Sequence, residues 1–375
     1  MNPSEPPRVV HLSTVHHGHD NRVFNKEARA VVEAGYDFHL VISADHDGLD
    51  QGIPVVALRR HEGRVQRVLL SQRDAWRALR RLRPQLLQVH DPELIPLALA
   101  WGRLHDCRTV YDAHEDLVGQ IETKPYLNRF TRPLARTAAR ALVGLADRGM
   151  DAVVAATEPV AARYRADHVV VVRNYPWLGN YDRQPDPVPG RVVYVGDLTE
   201  ERKLSFMIEL VRRARDVVPQ AHLVLAGRPL GGCVATLDRA VAEGLVEHRG
   251  LIVPTQVPEL LASAQLGLVM LAPLPNYVRS LPTKLFEYMA AGVPFVASDF
   301  PAWRRRFEPY RAGVFVDSED VEAALGPLVD LLADADRCAA LGRSGRRAVE
   351  EGLTFESQAS ALIGLTERLV GPAAH

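Results

Sequence analysis

Lys284 and Glu287, three residues apart, follow the loop Ser280-Leu281-Pro282-Thr283. The pattern predicts a short helix with Ser280 as its N-cap and Pro282 in its first turn, where the missing N–H costs nothing. Leu285, Phe286, Met289 and Ala290 recur at helical spacing and form its apolar face. Gly292 and Pro294 then end it. Backbone N–H groups at 280–283, together with the helix dipole, make a seat for phosphate. Lys284 and Glu287 are read as sharing one exposed face beside that seat. This pairing suits a nucleoside diphosphate: charge for the phosphates, an acceptor for the ribose hydroxyls. A second basic pair, Arg202-Lys203, follows the strand-like RVVYVG (191–196). Cations at a helix start oppose the dipole, so this pair calls for an anion.

Histidines supply the other candidates. His114 ends the strand-like TVYDA, with Asp112 and Glu115 beside it as acceptor contacts. His90-Asp91 end another strand, and Pro92 opens the helix that follows. Both are read as lining a ligand cleft, with a helix-capping role for Asp91 the alternative. His16, His17, His19 and Asp20 crowd one loop, but their spacing matches no standard zinc pattern. Asp45-His46-Asp47 is a lone tripeptide that chance supplies easily. No metal is assigned to either.

Strands must position these residues. Short β-branched runs alternate with helical patterns, from VVHLS (9–13) to GVFV (313–316). Strands apolar on both faces, separated by helices, imply parallel sheets covered on both sides. YPWLGNYDRQPDPVPG (175–190), dense in Pro, Gly and Asp, reads as a linker between two α/β halves. The expected architecture is α/β: two doubly wound, Rossmann-like domains, 1–180 and 190–350, facing across a cleft. Ligands should sit outside the carboxyl ends of the strands. Residues 355–370 form an amphipathic helix beyond the last strand.

Bulk properties narrow the function. With 375 residues and a net charge of −1, the chain has neither the basic excess of a general nucleic-acid binder nor an acidic tail. No apolar run reaches the length of a membrane span. MNPSEPPR lacks a secretory pattern, and three isolated cysteines form no metal or redox motif, so a reducing cytoplasm is the default. Basic residues are almost all Arg; the lysines are Lys26, Lys124, Lys203 and Lys284. The stretch 59–84 reads as a basic amphipathic helix, a solvated arginine face first. Peripheral contact with anionic lipid at the inner membrane face, or with a phosphorylated acceptor, is its second reading.

Three motifs occur in order at the predicted strand ends: HHGHDNRVFNKEARAVVEAGYDFHLV (16–41), VGDLTEERK (195–203) and LPTKLFEYMAAGVPFVASD (281–299). Together they resemble the retaining GT-B glycosyltransferases of family 4, over nearly the whole chain. The resemblance implies a nucleotide-sugar donor held mainly by the C-terminal domain and a hydroxyl acceptor, of unknown identity, held mainly by the N-terminal one. It implies no metal and no cofactor, and a last helix that crosses back to the first domain. Glu287 matches the second Glu of the family's Glu-x7-Glu element, which bonds the donor ribose. The first Glu of that element is replaced here by Arg279. Lys203 matches the lysine that holds the diphosphate. The Arg expected after Gly196 is Asp197, so Arg202 is the candidate replacement. His114 matches the histidine that contacts the donor sugar. Gly18 remains from a glycine-rich loop, with Asp20 and Arg22 as further cleft contacts. Ile252, with Leu251, sits where backbone groups meet the base. The same fold also serves sugar-nucleotide epimerases. The two departures admit a relative that binds donor with altered or no transfer chemistry.

Overall fold

The computed structural model describes residues 5–59, 61, 64–114, 116–123, 128–165 and 167–373; side chains at 17, 64–69, 122 and 123 lie outside that set. Two compact units result: residues 1–174 with 355–375, and residues 175–354.

In the first unit the strands are β1 Arg8–His17, β2 Asp37–Ser43, β3 Gly48–Asp50, β4 Ile53–Leu58, β5 Leu86–Val89, β6 Arg108–Ala113, β7 Ala152–Ala155 and β8 Val169–Val171. They form one sheet in the order β3-β4-β2-β1-β5-β6-β7-β8. Every pair is parallel except β3 with β4. β5 and β7 are buried at every residue, which explains their near-continuous apolar runs. One core cluster includes Leu12, Leu87 and Val89 from the strands and Leu79 and Trp101 from covering helices. The helix Phe355–Val370 packs on β8, β5 and the helical segment 23–33. Gln358 Oε1 accepts from the Arg173 N–H at 3.0 Å, and the Tyr36 hydroxyl donates to the Gly371 carbonyl at 3.0 Å.

In the second unit the strands are β9 Arg191–Val195, β10 His222–Ala226, β11 Val246–His248, β12 Leu266–Val269, β13 Phe295–Ser298 and β14 Gly313–Val316. They form a wholly parallel sheet in the order β11-β10-β9-β12-β13-β14. Alternation along each strand feeds two cores. Val192, Leu223 and Leu268 pack beneath the helix Leu204–Val217. Val193, Val224 and Phe295 pack against Leu285, Phe286 and Met289 of the helix Thr283–Ala290. The Pro-rich segment 175–190 begins inside this unit, since Tyr175 and Tyr181 are buried in its core.

Sequence reading omitted β3 and β11. Each has three residues at a sheet edge and lacks an apolar run; Leu49 of β3 is 74% exposed. Ahead of the loop at 280–283 the chain also makes the helical turn Pro275–Arg279.

Candidate functional site

At the carboxyl end of β9 the backbone turns through Gly196 (φ +141°), beside Gly227 (φ +150°) at the end of β10. A Cβ on Gly227 would lie 1.9 Å from the Gly196 carbonyl oxygen, so only glycine fits there. A Cβ on Gly196 would lie 2.8 Å from Lys284 Cε and 2.9 Å from its Nζ. Lys284 therefore reaches back from its helix onto the end of β9. Its ammonium stands 5.6 Å from the centroid of the buried Tyr194 ring. Arg202, half-buried, lies beside the same tyrosine, whose hydroxyl donates to the Asp197 carbonyl at 3.2 Å. Burial, and then the Arg202 charge, push the Lys284 ammonium down to about 8. Neither cation forms an ion pair among the described residues. The strand end thus carries two crowded positive charges with no bound carboxylate.

Several expectations about the neighbouring loop need correction. Lys284 does not share an exposed face with Glu287; it is half-buried and turned toward β9. Glu287, one turn on, is also half-buried, and its charge acts on both Lys284 and Tyr181. Ser280 does not cap the helix. It closes the preceding turn, with its hydroxyl donating to the Tyr277 carbonyl at 3.0 Å and its N–H to the same oxygen at 3.2 Å. Its carbonyl accepts the Trp303 indole N–H at 2.6 Å. Pro282 itself is the N-cap, at φ −72° and ψ 122°, rather than a first-turn residue. With the Ser280 N–H occupied, the anion-seeking groups are those of Thr283 and Lys284, where the helix begins. Leu281 and Arg279 are exposed beside them.

Lys203 has a left-handed backbone (φ +57°) and begins the helix Leu204–Val217. Holding a non-glycine residue there costs about 1 kcal/mol. Its ammonium pairs with Glu319 Oε1 at 2.5 Å. Next to this pair lies a depression of about 290 Å³ lined by Pro273, Asp299, Phe300, Asp317, Ser318 and Glu319. Three carboxylates make it repellent to phosphate. Ile252 is half-buried in the loop after β11, two residues beyond Gly250, whose carbonyl accepts the Gly227 N–H at 2.7 Å.

The first unit arranges its charges differently. Arg22 is 6% exposed and grips Asp112 with both ends of its fork, Nε to Oδ2 at 3.0 Å and Nη2 to Oδ1 at 2.7 Å. Nη2 also meets Glu27 Oε1 at 2.9 Å, and Nη1 donates to the Val172 carbonyl at 2.9 Å. His90, fully buried, places Nδ1 2.9 Å from Asp112 Oδ2 and Nε2 3.2 Å from His11 Nδ1. Gln88 donates to Glu27 Oε2 at 2.6 Å. Burial would raise the Asp112 carboxyl. The Arg22 charge, with hydrogen bonds from Arg22 and His90, instead holds it well below the usual range. Burial raises Glu27 and, with His90 adjacent, lowers His11.

Arg22 and His90 are therefore internal and not cleft-lining. Asp91 is also internal: it does not cap the helix after it but ties down the end of β1, accepting from the Thr14 N–H at 2.5 Å and the Ser13 hydroxyl at 3.1 Å. Asp20 binds His16 Nδ1 at 2.8 Å and accepts the N–H groups of Arg22 and Val23, both at 2.9 Å. Burial works against that carboxyl's charge, yet the His16 bond brings it to about 2. Gly18 adopts no left-handed backbone, and a Cβ there would meet nothing within 4 Å, so space does not demand the glycine. His114 is the partly exposed member of the group: its Nδ1 lies 3.7 Å from Asp112 Oδ2, and its ring meets His16 edge-on at 5.1 Å. Glu115 and Lys124 lie outside the described residues.

The histidine loop does not gather as a ligand set, since His19 turns to Asp50. His11, Glu27 and His90 do converge, with ligand atoms within 4.8 Å of one another, but each already serves the buried network. Sequence reading missed His11, Glu27 and Gln88. His11 and Gln88 were visible as polar residues inside strands read as apolar on both faces, and β1–β5 register sets them side by side.

Two family models match this chain. Residues 21–175 match "Glycosyltransferase Family 4", and residues 189–334 match "Glycosyl transferases group 1". The fold is that of sucrose-phosphate synthase from Thermosynechococcus elongatus (TM-score 0.72, 16% identity, 97% of this chain and 99% of that one). HepE from Anabaena, crystallised with UDP-glucose, is similar (TM-score 0.70, 15% identity, 96% and 99%). These likenesses define a GT-B fold. The chain belongs to the group 1 glycosyltransferase enzymes. A D-inositol 3-phosphate glycosyltransferase from Gordonia bronchialis is 27% identical over 168 residues, 43% of this chain and 36% of that protein. The aligned region thus spans about a third of that relative's length. Among the described residues, no helix is long and apolar enough to cross a membrane.

Proposed function

We propose that this protein transfers a sugar from a nucleoside-diphosphate sugar to an acceptor hydroxyl, with retention and without a metal. The observation that carries this reading is the pair Arg202 and Lys284, held at the end of β9 beside the start of the helix Thr283–Ala290. Two cations without bound carboxylates, next to oriented N–H groups, are a diphosphate seat. HepE has been crystallised with UDP and with UDP-glucose, ligands of this class. Glu287 accepts from the ribose hydroxyls. Ile252 lies against the base.

In the reaction the bond from the anomeric carbon to the diphosphate oxygen breaks. The acceptor oxygen bonds that carbon from the same face, and the acceptor proton passes to the departing diphosphate. Arg202 and Lys284 stabilise the negative charge that develops there, and Lys203 joins them by leaving Glu319. His114, oriented by Asp112, contacts the donor sugar; Asp20 and Gly18 lie toward the acceptor. A cytoplasmic setting, where nucleotide sugars are made, fits the three free cysteines.

The test is a thermal-shift panel of nucleotide sugars, followed by turnover of any that binds. One donor should raise the melting temperature, and Arg202→Ala and Glu287→Ala should each lower its transfer about a hundredfold while remaining folded. Absence of a shift with every nucleotide sugar would overturn the reading. Release of epimerised free sugar without acceptor would reassign the chemistry.

A further inference from the structure

The helix Thr131–Gly149 presents an outer face of the wrong polarity for water. Phe130, its N-cap, is 74% exposed, Leu134 73% and Leu145 46%. Ala138 and Ala141 lie between them and are exposed as well. These five positions follow helical spacing (i, i+4, i+8, i+11, i+15), so they form one stripe. The opposite side is already satisfied, with Ala139 and Ala146 buried.

Charge around the stripe is one-sided. Between 128 and 149 the sequence has Arg129, Arg132, Arg136, Arg140 and Arg148 against a single acid, Asp147. Asp147 is already engaged, accepting from the Arg165 N–H at 2.8 Å. Arg129, Arg140 and Arg148 are exposed, and the Arg129 guanidinium stands 4.6 Å from the Phe130 ring centroid.

Comparison with the other long basic helix sharpens the point. In the described part of Arg64–Leu82, Ala75, Ala78, Leu79 and Leu82 are buried while Arg73, Arg77 and Arg80 face water. Among the described residues, the exposed side chains of that helix are arginines apart from Leu70.

We propose that the stripe Phe130–Leu134–Ala138–Ala141–Leu145 docks this protein onto an anionic lipid surface. The apolar side chains enter the boundary between headgroups and acyl chains, and the exposed arginines meet lipid phosphates. A second copy of the chain is a poorer occupant, because facing stripes would bring like-charged arginines together. The proposal rests on this helix alone and not on the donor chemistry, so its failure leaves the glycosyl-transfer reading intact.

The experiment is co-sedimentation of the full chain with phosphatidylcholine vesicles, with and without phosphatidylglycerol, at low salt. The protein should pellet only with the anionic vesicles and be released as salt rises. Phe130→Ser with Leu134→Ser, at positions already exposed, should weaken binding about tenfold or more. Arg140→Glu with Arg148→Glu should also weaken it about tenfold or more. Circular dichroism checks that both variants fold. Protein left in the supernatant with anionic vesicles at low salt would overturn the proposal. So would a serine variant that pellets like the parent, or sedimentation velocity showing a dimer that this variant dissociates without any lipid binding.

Discussion

The two sheets of this protein both end their central strands in charged residues, and they use them in opposite ways. In the first unit Arg22, Glu27, Asp112 and His90 lie below 10% exposure and answer one another. In the second, Arg202 and Lys284 share a strand end without an ion-paired carboxylate. Charges that pair internally hold loops in place. Charges that repel one another are costly until an anion arrives, so ligand chemistry belongs to the second arrangement.

The largest effect should come from breaking the internal set. Arg22→Met leaves Asp112 and Glu27 buried without their cation. Such a loss costs about 3–5 kcal/mol. Urea denaturation should show the midpoint falling, with little effect on nucleotide binding per folded molecule. A variant as stable as the parent would mean that the first unit's network is not structural, and the contrast with the second unit would collapse.

Much of this was legible beforehand because parallel strands buried on both faces write continuous apolar runs. Three-residue edge strands such as β3 and β11 write none. The residues proposed at 202, 203, 284 and 287 stand out in the sequence because Gly, Pro and strand ends mark the turns that carry them. Side-chain direction was not legible. Nothing in the spacing of Lys284 and Glu287 says that Lys284 turns under the helix to Gly196, or that Lys203 answers Glu319 from a residue 116 positions away (319 minus 203). Arg22 and His90 looked like ligand contacts because they flank loops; only packing reveals that Asp112 has claimed both.

Lys284 gives a smaller and two-sided effect. Its ammonium is held down to about 8, below the ordinary lysine value, by burial and by Arg202. A depressed lysine contributes its full stability above the unfolded value, and that contribution is lost as pH falls toward 8. Near neutral pH the charged form therefore costs the free protein roughly 3 kcal/mol. Lys284→Met should raise the melting temperature at pH 7 and, at the same time, weaken nucleoside-diphosphate binding. In the parent protein that binding should decline as pH rises through about 8, and Lys284→Arg should flatten the decline. A methionine variant that is less stable and binds as well would show that this cation is structural, like those of the first unit.

Glu319 tests whether Lys203 belongs with the internal charges or with the ligand-seeking ones. Glu319 is 55% exposed on its side chain, so its pair with Lys203 is worth no more than about 1 kcal/mol. Lys203 also carries a left-handed backbone, a strain of the kind that gathers at ligand sites. Glu319→Gln removes the competitor without removing bulk. Stability should change by less than about 1 kcal/mol, whereas nucleoside-diphosphate affinity should rise up to about fivefold, as the freed lysine no longer has to break a pair. Titration calorimetry at low and high salt separates the cases, since screening weakens the exposed pair and should erase the difference between parent and variant. Unchanged affinity at low salt would place Lys203 among the structural charges and leave the diphosphate to Arg202 and Lys284 alone.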